Sequence, residues 1–214
     1  MNGYYPAVLQ LRGRRCVVIG GGAVAQRKIR GLLEAGADDI VVVSPQVTHS
    51  IARLAEEGAI TVQLRGFEQT DIAGARLVFA ATDDGGLNES IAASCDKLGI
   101  LVNAADDSGH SSFISPSVVR RGDLLLAVTA SGASPALSRQ IKAELESRYG
   151  PNYEALTARL RRLRERVLGT VLDERDRQLV LQLAAEEAAQ QDRIHFDIDE
   201  WLQSLLHRID RRHK

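Results

Sequence analysis

Val17 to Arg30, VVIGGGAVAQRKIR, is the stretch that decides the fold. A short apolar run, Val17 to Ile19, stops at Gly20, Gly21 and Gly22, and helix-forming residues follow with apolar positions at Val24, Ile29, Leu32 and Leu33. Strand, tight turn and helix are the reading. Gly20, Gly22 and Ala25 make the G-x-G-x-x-A form of a dinucleotide-binding turn. The first glycine allows a sharp bend, the second lets backbone N–H groups approach a pyrophosphate, and the small third residue lets the helix lie close on the strand. The positive end of the helix then faces the phosphates. Gly20 and Gly22 are therefore cofactor-binding candidates, the alternative being a glycine-rich turn that binds nothing.

Working outward, the helix should run to about Ala35 and stop at Gly36, and Ile40 to Val43 reads as a second buried strand. At its end, where an NAD-binding fold usually places a carboxylate for the ribose hydroxyls, stand Ser44 and Pro45. No arginine follows at once to hold a 2′-phosphate. Ser44 is either a donor to the cofactor or a turn residue ahead of a helix starting near Thr48. Further strands are expected at Ile60 to Leu64, Leu77 to Ala81 and Ile100 to Asn103. The second of these ends in Thr82, Asp83 and Asp84, at the carboxyl edge where such sheets meet their ligands. Helix capping by Asp84 or Asn88 is the competing reading there. Upstream, Tyr4 to Leu11 reads as an edge strand broken by Pro6.

The loop AADDSGHSS follows the fifth strand and brings together Asp106, Asp107 and His110. A carboxylate beside a nicotinamide can accept a proton as hydride leaves a substrate. The same cluster could hold a divalent cation, and a solvated polar turn is the third reading. After this loop the strand–helix alternation ends. Phe113 to Val119 and Leu124 to Thr129 read as a hairpin, Ser134 and Pro135 open a helix, and Asn152 to Lys214 is helical with breaks near Gly169 and Phe196. A hairpin and helix too small for a core of their own suggest packing against a second copy. On the first helix of the tail, Leu156, Leu160, Leu163 and Val167 have core spacing, and the intervening arginines and acids belong on a solvated face.

Composition narrows the function classes. The 214 residues are 44% hydrophobic and 26% charged with a net charge of −1, which does not suit a dedicated nucleic-acid binder. No apolar run reaches the ~18 residues of a membrane span, and the start of the chain lacks a basic segment followed by an apolar core, so a cytoplasmic protein is expected. Cys16 and Cys95 are spaced as core residues, and His49, His195, His207 and His213 as surface ones. No metal-ligand set is assigned.

Several ordered segments, PAVLQLRGRRCVVIGGGAVAQRK, LVFAATDD, VNAADD and SSFISPSVVRRGDLLLAVTASGASPALSR, resemble the precorrin-2 dehydrogenase and sirohydrochlorin ferrochelatase family, which includes the N-terminal half of bacterial siroheme synthase. The resemblance covers residues 4 to about 150 well and the helical tail loosely. It implies NAD-dependent oxidation of precorrin-2 to sirohydrochlorin by an intertwined homodimer, with Fe²⁺ a further substrate in some members. It also implies NAD contacts at Ala23, Val24, Ser44 and Pro45 and a catalytic role for Asp106, and neutral residues after the second strand are usual in that family. One position departs from it: where siroheme synthases carry a second serine before a glycine pair, Ala130 stands here, which removes a phosphorylation site. The expected architecture is α/β, with a Rossmann-like NAD-binding domain over 1–112, a small α+β dimerisation region over 113–150 and a helical region over 151–214. A non-catalytic NAD sensor using its tail to bind a partner is the alternative from another functional class.

Overall fold

A computed structural model describes residues 3–105, 109–190 and 197–212. Contacts divide the chain into two compact units, Met1–Ser115 and Pro116–Lys214.

In the first unit, β1 (Arg15–Ile19), β2 (Asp39–Val43), β3 (Thr61–Gln63), β4 (Leu77–Ala80) and β5 (Leu101–Ala104) form one parallel sheet in the order β3-β2-β1-β4-β5. Because successive side chains of a strand point to opposite faces, β1 feeds two cores. Cys16 and Val18 join Phe79 under α1 (Ala23–Glu34) and α2 (His49–Glu56), where Ile29 and Ile51 are fully buried. Val17 and Ile19 join Val78 and Val102 under α3 (Gly85–Lys97), with Ile91 and Cys95. This is the Rossmann-like α/β sheet expected, helices covering both faces and β-branched runs in the middle.

Both cysteines are free and buried, and burial pushes each thiol up to about 11, with Asp39 and Asp38 adding to the effect at Cys16. Thr48 caps α2 by accepting from the Ile51 N–H, and α1 ends at Ala35 with Gly36 at φ 77°. His49 and His207 are exposed, as expected, whereas His195 and His213 lie outside the described residues.

Two expectations are corrected. Tyr4 to Leu11 is not a strand; of these residues only Leu11 is buried. The outer edge of β5 is satisfied instead by Ser111 and Ser112, through both hydroxyls and one backbone N–H. Ser112 exchanges bonds with Val102, its N–H donating to the carbonyl (2.9 Å) and its Oγ accepting from the N–H (2.8 Å), and Ser111 Oγ accepts from the Ala104 N–H (3.0 Å). Phe113, assigned to the hairpin from the sequence, packs edge-to-face on Phe79 at 5.6 Å and belongs to the first core. The hairpin strand starts later, at Ser117.

In the second unit, β6 (Ser117–Arg121) and β7 (Leu124–Val128) pair antiparallel around Gly122, whose φ of 55° the turn requires. Ser134 caps α4 (Pro135–Arg148), its Oγ accepting from the Leu137 N–H. The helices α5 (Asn152–Thr170), α6 (Glu174–Gln190) and α7 (Ile198–Arg212) enclose a core of their own, built from Leu163, Val167, Val180, Leu183, Trp201 and Leu205. Arg159 lies 5.3 Å over the Trp201 ring, and Arg162, Glu165 and Arg166 face solvent.

Between β3 and a 3₁₀ turn at Gln69–Ile72, Arg65 and Asp71 form a two-bond ion pair (2.5 and 2.8 Å), and Asp71 also accepts from the Glu68 N–H (2.7 Å). The Arg65 hydrogen bonds hold the Asp71 carboxyl below its ordinary value of 3.8 against the opposing effect of burial. A carboxyl lowered in the folded state stabilises fully above its unfolded value and loses that contribution as pH falls through the folded one. Asp71→Asn should therefore be less stable than the parent by a constant margin above about pH 5, the margin shrinking below about pH 4. Denaturant titrations of both proteins across this range check it.

Candidate functional site

The carboxyl ends of β1, β2, β3 and β4 open into a cleft of about 800 Å³. All eight binding candidates from the sequence, Gly20, Gly22, Ala23, Val24, Ser44, Pro45, Thr82 and Asp83, line it. Its position between the ends of β1 and β4 follows from strand order, because crossovers leave β1 in opposite directions there and open a crevice.

The three glycines differ in what demands them. Gly20 has φ 121°, and a Cβ there would sit 2.2 Å from the Ala81 carbonyl oxygen. At Gly21 a Cβ would sit 1.9 Å from the Gln46 carbonyl oxygen. Both are required for folding. Gly22 has φ −85° and ψ −169°, accessible to any residue, and a Cβ there would meet nothing within 4 Å. The space beside it is the cleft.

Gly22 is also the N-cap of α1 and supplies no side-chain cap, and the first turn of that helix carries no acid. The first N–H groups of a helix have no intrahelical partner, and the dipole adds positive potential at the same point. An uncapped helix start beside an open glycine fits a pyrophosphate. Small Ala25, fully buried, lets α1 lie close on the sheet.

On the β2 side, Ser44 is 8% exposed and its hydroxyl donates to the Gln46 carbonyl (2.7 Å), which shapes the turn. The Thr48 N–H donates to the Gly21 carbonyl (2.9 Å), tying this turn to the glycine turn. On the β4 side, Thr82 is held by buried Asn88. The Asn88 Oδ1 accepts from both the Thr82 N–H (3.2 Å) and its hydroxyl (2.7 Å), while Nδ2 donates to the Thr82 carbonyl (3.1 Å). Asp84 caps α3, accepting from the Leu87 N–H (3.0 Å), and Asp83 is exposed. Capping thus falls to Asp84, while Asn88 braces the loop.

Gly66, Phe67 and Leu87, together with Gln46 and Val47, also line the cleft and are not among the residues marked by the sequence. The first two follow β3 at the same carboxyl edge, so the strand-end rule that found Thr82 could have found them. Among the described residues, none from β5 lines the cleft. Asp106 and Asp107 lie outside the described residues. Ala105 is tied to β4 through its N–H to the Ala80 carbonyl (2.7 Å), and His110 stands 3.3 Å from the Glu89 carboxylate on α3. Among the described residues, no three His, Cys, Asp or Glu side chains are grouped to hold a metal, and no helix is long and apolar enough to cross a membrane.

Residues 7–117 match the model of a family described as "Putative NAD(P)-binding". The chain belongs to this family. Siroheme synthases are similar over about three quarters of the chain: that of Nitrosococcus oceani is 39% identical over 170 residues, covering 78% of this chain and 36% of that protein. The one from Pseudomonas putida is 40% identical over 164 residues, covering 77% of this chain and 35% of that protein. The chain thus spans about a third of the length of these curated relatives. Among solved structures, one titled "SirC, precorrin-2 dehydrogenase" matches with a TM-score of 0.76 and 28% identity, covering 94% of this chain and 98% of that one. The resemblance read from the motifs, the Rossmann-like fold and the expectation of a nicotinamide dinucleotide as cofactor are borne out by these matches.

The contrast among the glycines predicts two different outcomes. Gly22→Val should keep the parent's melting temperature within a degree or two yet bind NAD more than about tenfold more weakly, roughly 1.4 kcal/mol. Gly21→Ala should lose stability before binding can be measured. Calorimetry and thermal unfolding on the two variants distinguish the roles.

Proposed function

We propose that this chain is an NAD-dependent precorrin-2 dehydrogenase that oxidises precorrin-2 to sirohydrochlorin in siroheme biosynthesis, working as a homodimer in the cytoplasm. The observation that carries the reading is the match along nearly the full length of a precorrin-2 dehydrogenase, combined with a glycine-turn cleft whose Gly22 is left open for a ligand. When bound, NAD supplies the hydride acceptor. The N–H groups at the start of α1, at Ala23 and Val24, hold the pyrophosphate. Ser44 and Pro45 border the adenosine ribose, and Thr82 and Asp83 border the crevice from β4.

Oxidation removes a hydride and a proton from precorrin-2, and the cofactor takes only the hydride. The proton needs a base. Asp106, which follows the last residue of β5 by two positions in the sequence, is given that role on the strength of the family resemblance, since an ionised carboxylate accepts a proton without further change in the protein. Iron insertion into the product would need a base for the pyrrole N–H protons more than a tight metal site, so any chelatase activity is expected to be modest. A stoichiometric, tightly bound iron in the purified protein would count against this.

Support for the dimer comes from the second unit. Of the hairpin and α4, only Val119 and Ser138 are buried; Leu124, Leu125 and Leu126 are half-buried, and Val118 and Leu137 are 36% and 48% exposed. None of these residues belongs to the helical core of the same unit. Apolar residues in regular structure without a core are the surface that a second copy would cover. Sedimentation well below micromolar concentration should still find a dimer, and a compact monomer there would remove this part of the proposal.

Anaerobic incubation of the purified protein with precorrin-2 and NAD should yield NADH and sirohydrochlorin in equal amounts, followed by absorbance. Asp106→Asn should slow turnover by roughly 10²-fold with NAD affinity nearly unchanged, while Asp107→Asn should have little effect. If only Asp107→Asn is slow the base is the neighbouring residue, and if neither is slow the general-base assignment fails.

A further inference from the structure

The wall of the cleft contributed by the β3 loop has a chemistry unlike the rest. Among the described lining residues Phe67 is the one aromatic side chain, half-buried and packed against the core under α3. It sits in a five-residue loop, 64–68, that belongs to no strand or helix. Such a loop has no ladder to hold it, yet its shape is over-determined from both ends. Arg65 donates to the Gly66 carbonyl (2.9 Å) and to both carboxylate oxygens of Asp71, and the same carboxylate takes the Glu68 N–H (2.7 Å). The Asp71 side chain is only 5% exposed. Residues before and after Phe67 are thus clamped to one buried carboxylate, which leaves the ring little freedom to leave the cleft.

Strand order says which end of a dinucleotide meets this wall. In sheets of this class the residue after the second strand meets the ribose that carries the NADP phosphate, the adenosine one, so the adenosine half lies on the β2 side of the glycine turn. β3 lies beyond β2 on that side, and the Ser44 N–H donates to the Gln63 carbonyl at its end (3.1 Å). An adenine base presents two apolar π-faces, and an aromatic side chain is the partner that gains most from covering one.

We infer that Phe67 is the adenine-contacting residue of the cleft and that the Arg65–Asp71 pair is a positioning device holding it there. The inference rests on the dinucleotide-binding reading above and adds a specific contact and its support. The base is held by a ring fixed from the neighbouring strand's loop, so an adenosine-containing fragment should retain much of the affinity of the whole cofactor.

Calorimetry on the full chain with NAD, 5′-AMP and nicotinamide mononucleotide tests it. Phe67→Ala should weaken NAD and 5′-AMP by the same factor, roughly tenfold or more, and leave nicotinamide mononucleotide unchanged. Phe67→Leu, which keeps an apolar side chain of similar bulk in the core, should show a smaller loss in the same pattern, and serves if the alanine variant does not fold. Arg65→Met and Asp71→Ala should each cost 5′-AMP affinity, and the double variant no more than the worse single one, as expected of two residues acting through one clamp. Equal weakening of all three probes, or unchanged 5′-AMP binding in the Phe67 variants, overturns the inference while leaving dinucleotide binding intact. A parent protein that binds no NAD at all overturns the functional reading and this inference together.

Discussion

The close approach of backbone to backbone at Gly20 and Gly21 is the constraint on which the first unit depends. One glycine lies against the carbonyl at the end of β4 and the other against a carbonyl in the turn after β2, at distances where no Cβ could stand. These contacts draw the ends of three adjacent strands to one point and aim the start of α1 into the crevice between them. The site is therefore a consequence of packing, and its position would be the same whatever lay bound in it. Gly22, one residue on, is free of both demands, which separates what the fold needs from what a ligand needs within a single triplet.

The two sides of the crevice are stiffened by unlike means. Toward β4 a buried amide, Asn88, satisfies three groups of Thr82 at once, a neutral arrangement with no charge to desolvate. Toward β3 the work falls to an ion pair, one member of which is nearly buried. Breaking one partner of such a pair leaves the other uncompensated, so this side is the more sensitive to single substitutions. Asn88 on one side and Arg65 with Asp71 on the other do not themselves line the cleft, yet each arrangement decides where a lining residue stands.

Much of this was legible in the chain. The β1–turn–α1 unit, the order of strands and helices, and the caps at Thr48, Asp84 and Ser134 follow from apolar periodicity and from side chains that can accept from free helix N–H groups. What failed did so for identifiable reasons. Tyr4 to Leu11 has strand-like composition, but a strand needs a ladder partner, and Ser111 and Ser112 already occupy the outer edge of β5. Phe113 belongs to an apolar run that continues toward the hairpin, and a run does not say which of two cores receives each residue. Arg65 with Asp71, and Thr82 with Asn88, are separated by six residues in irregular or strand–helix junctions, where no repeat announces that the side chains will meet. For the candidate site, Gly20, Gly22, Ser44, Thr82 and Asp83 are legible from turn chemistry and strand ends, and Ala23, Val24 and Pro45 only through the family resemblance, whereas Phe67 stands in an irregular loop past the last alternating residue of β3, where no periodicity marks it.

The two cysteines sit on opposite sides of the sheet, Cys16 on β1 under α1 and α2 and Cys95 on the buried face of α3. With both thiols pushed up to about 11, on the order of one in 10⁴ is ionised at neutral pH. Fully buried, and with ionisation opposed by that burial, neither thiol offers reagents a ready nucleophile while the helix layer over it stays closed. The same silence makes each thiol a local gauge: its labelling rate reports how often the helix layer on its own side of the sheet lifts away, and the two rates read side by side say whether the faces open together or one at a time.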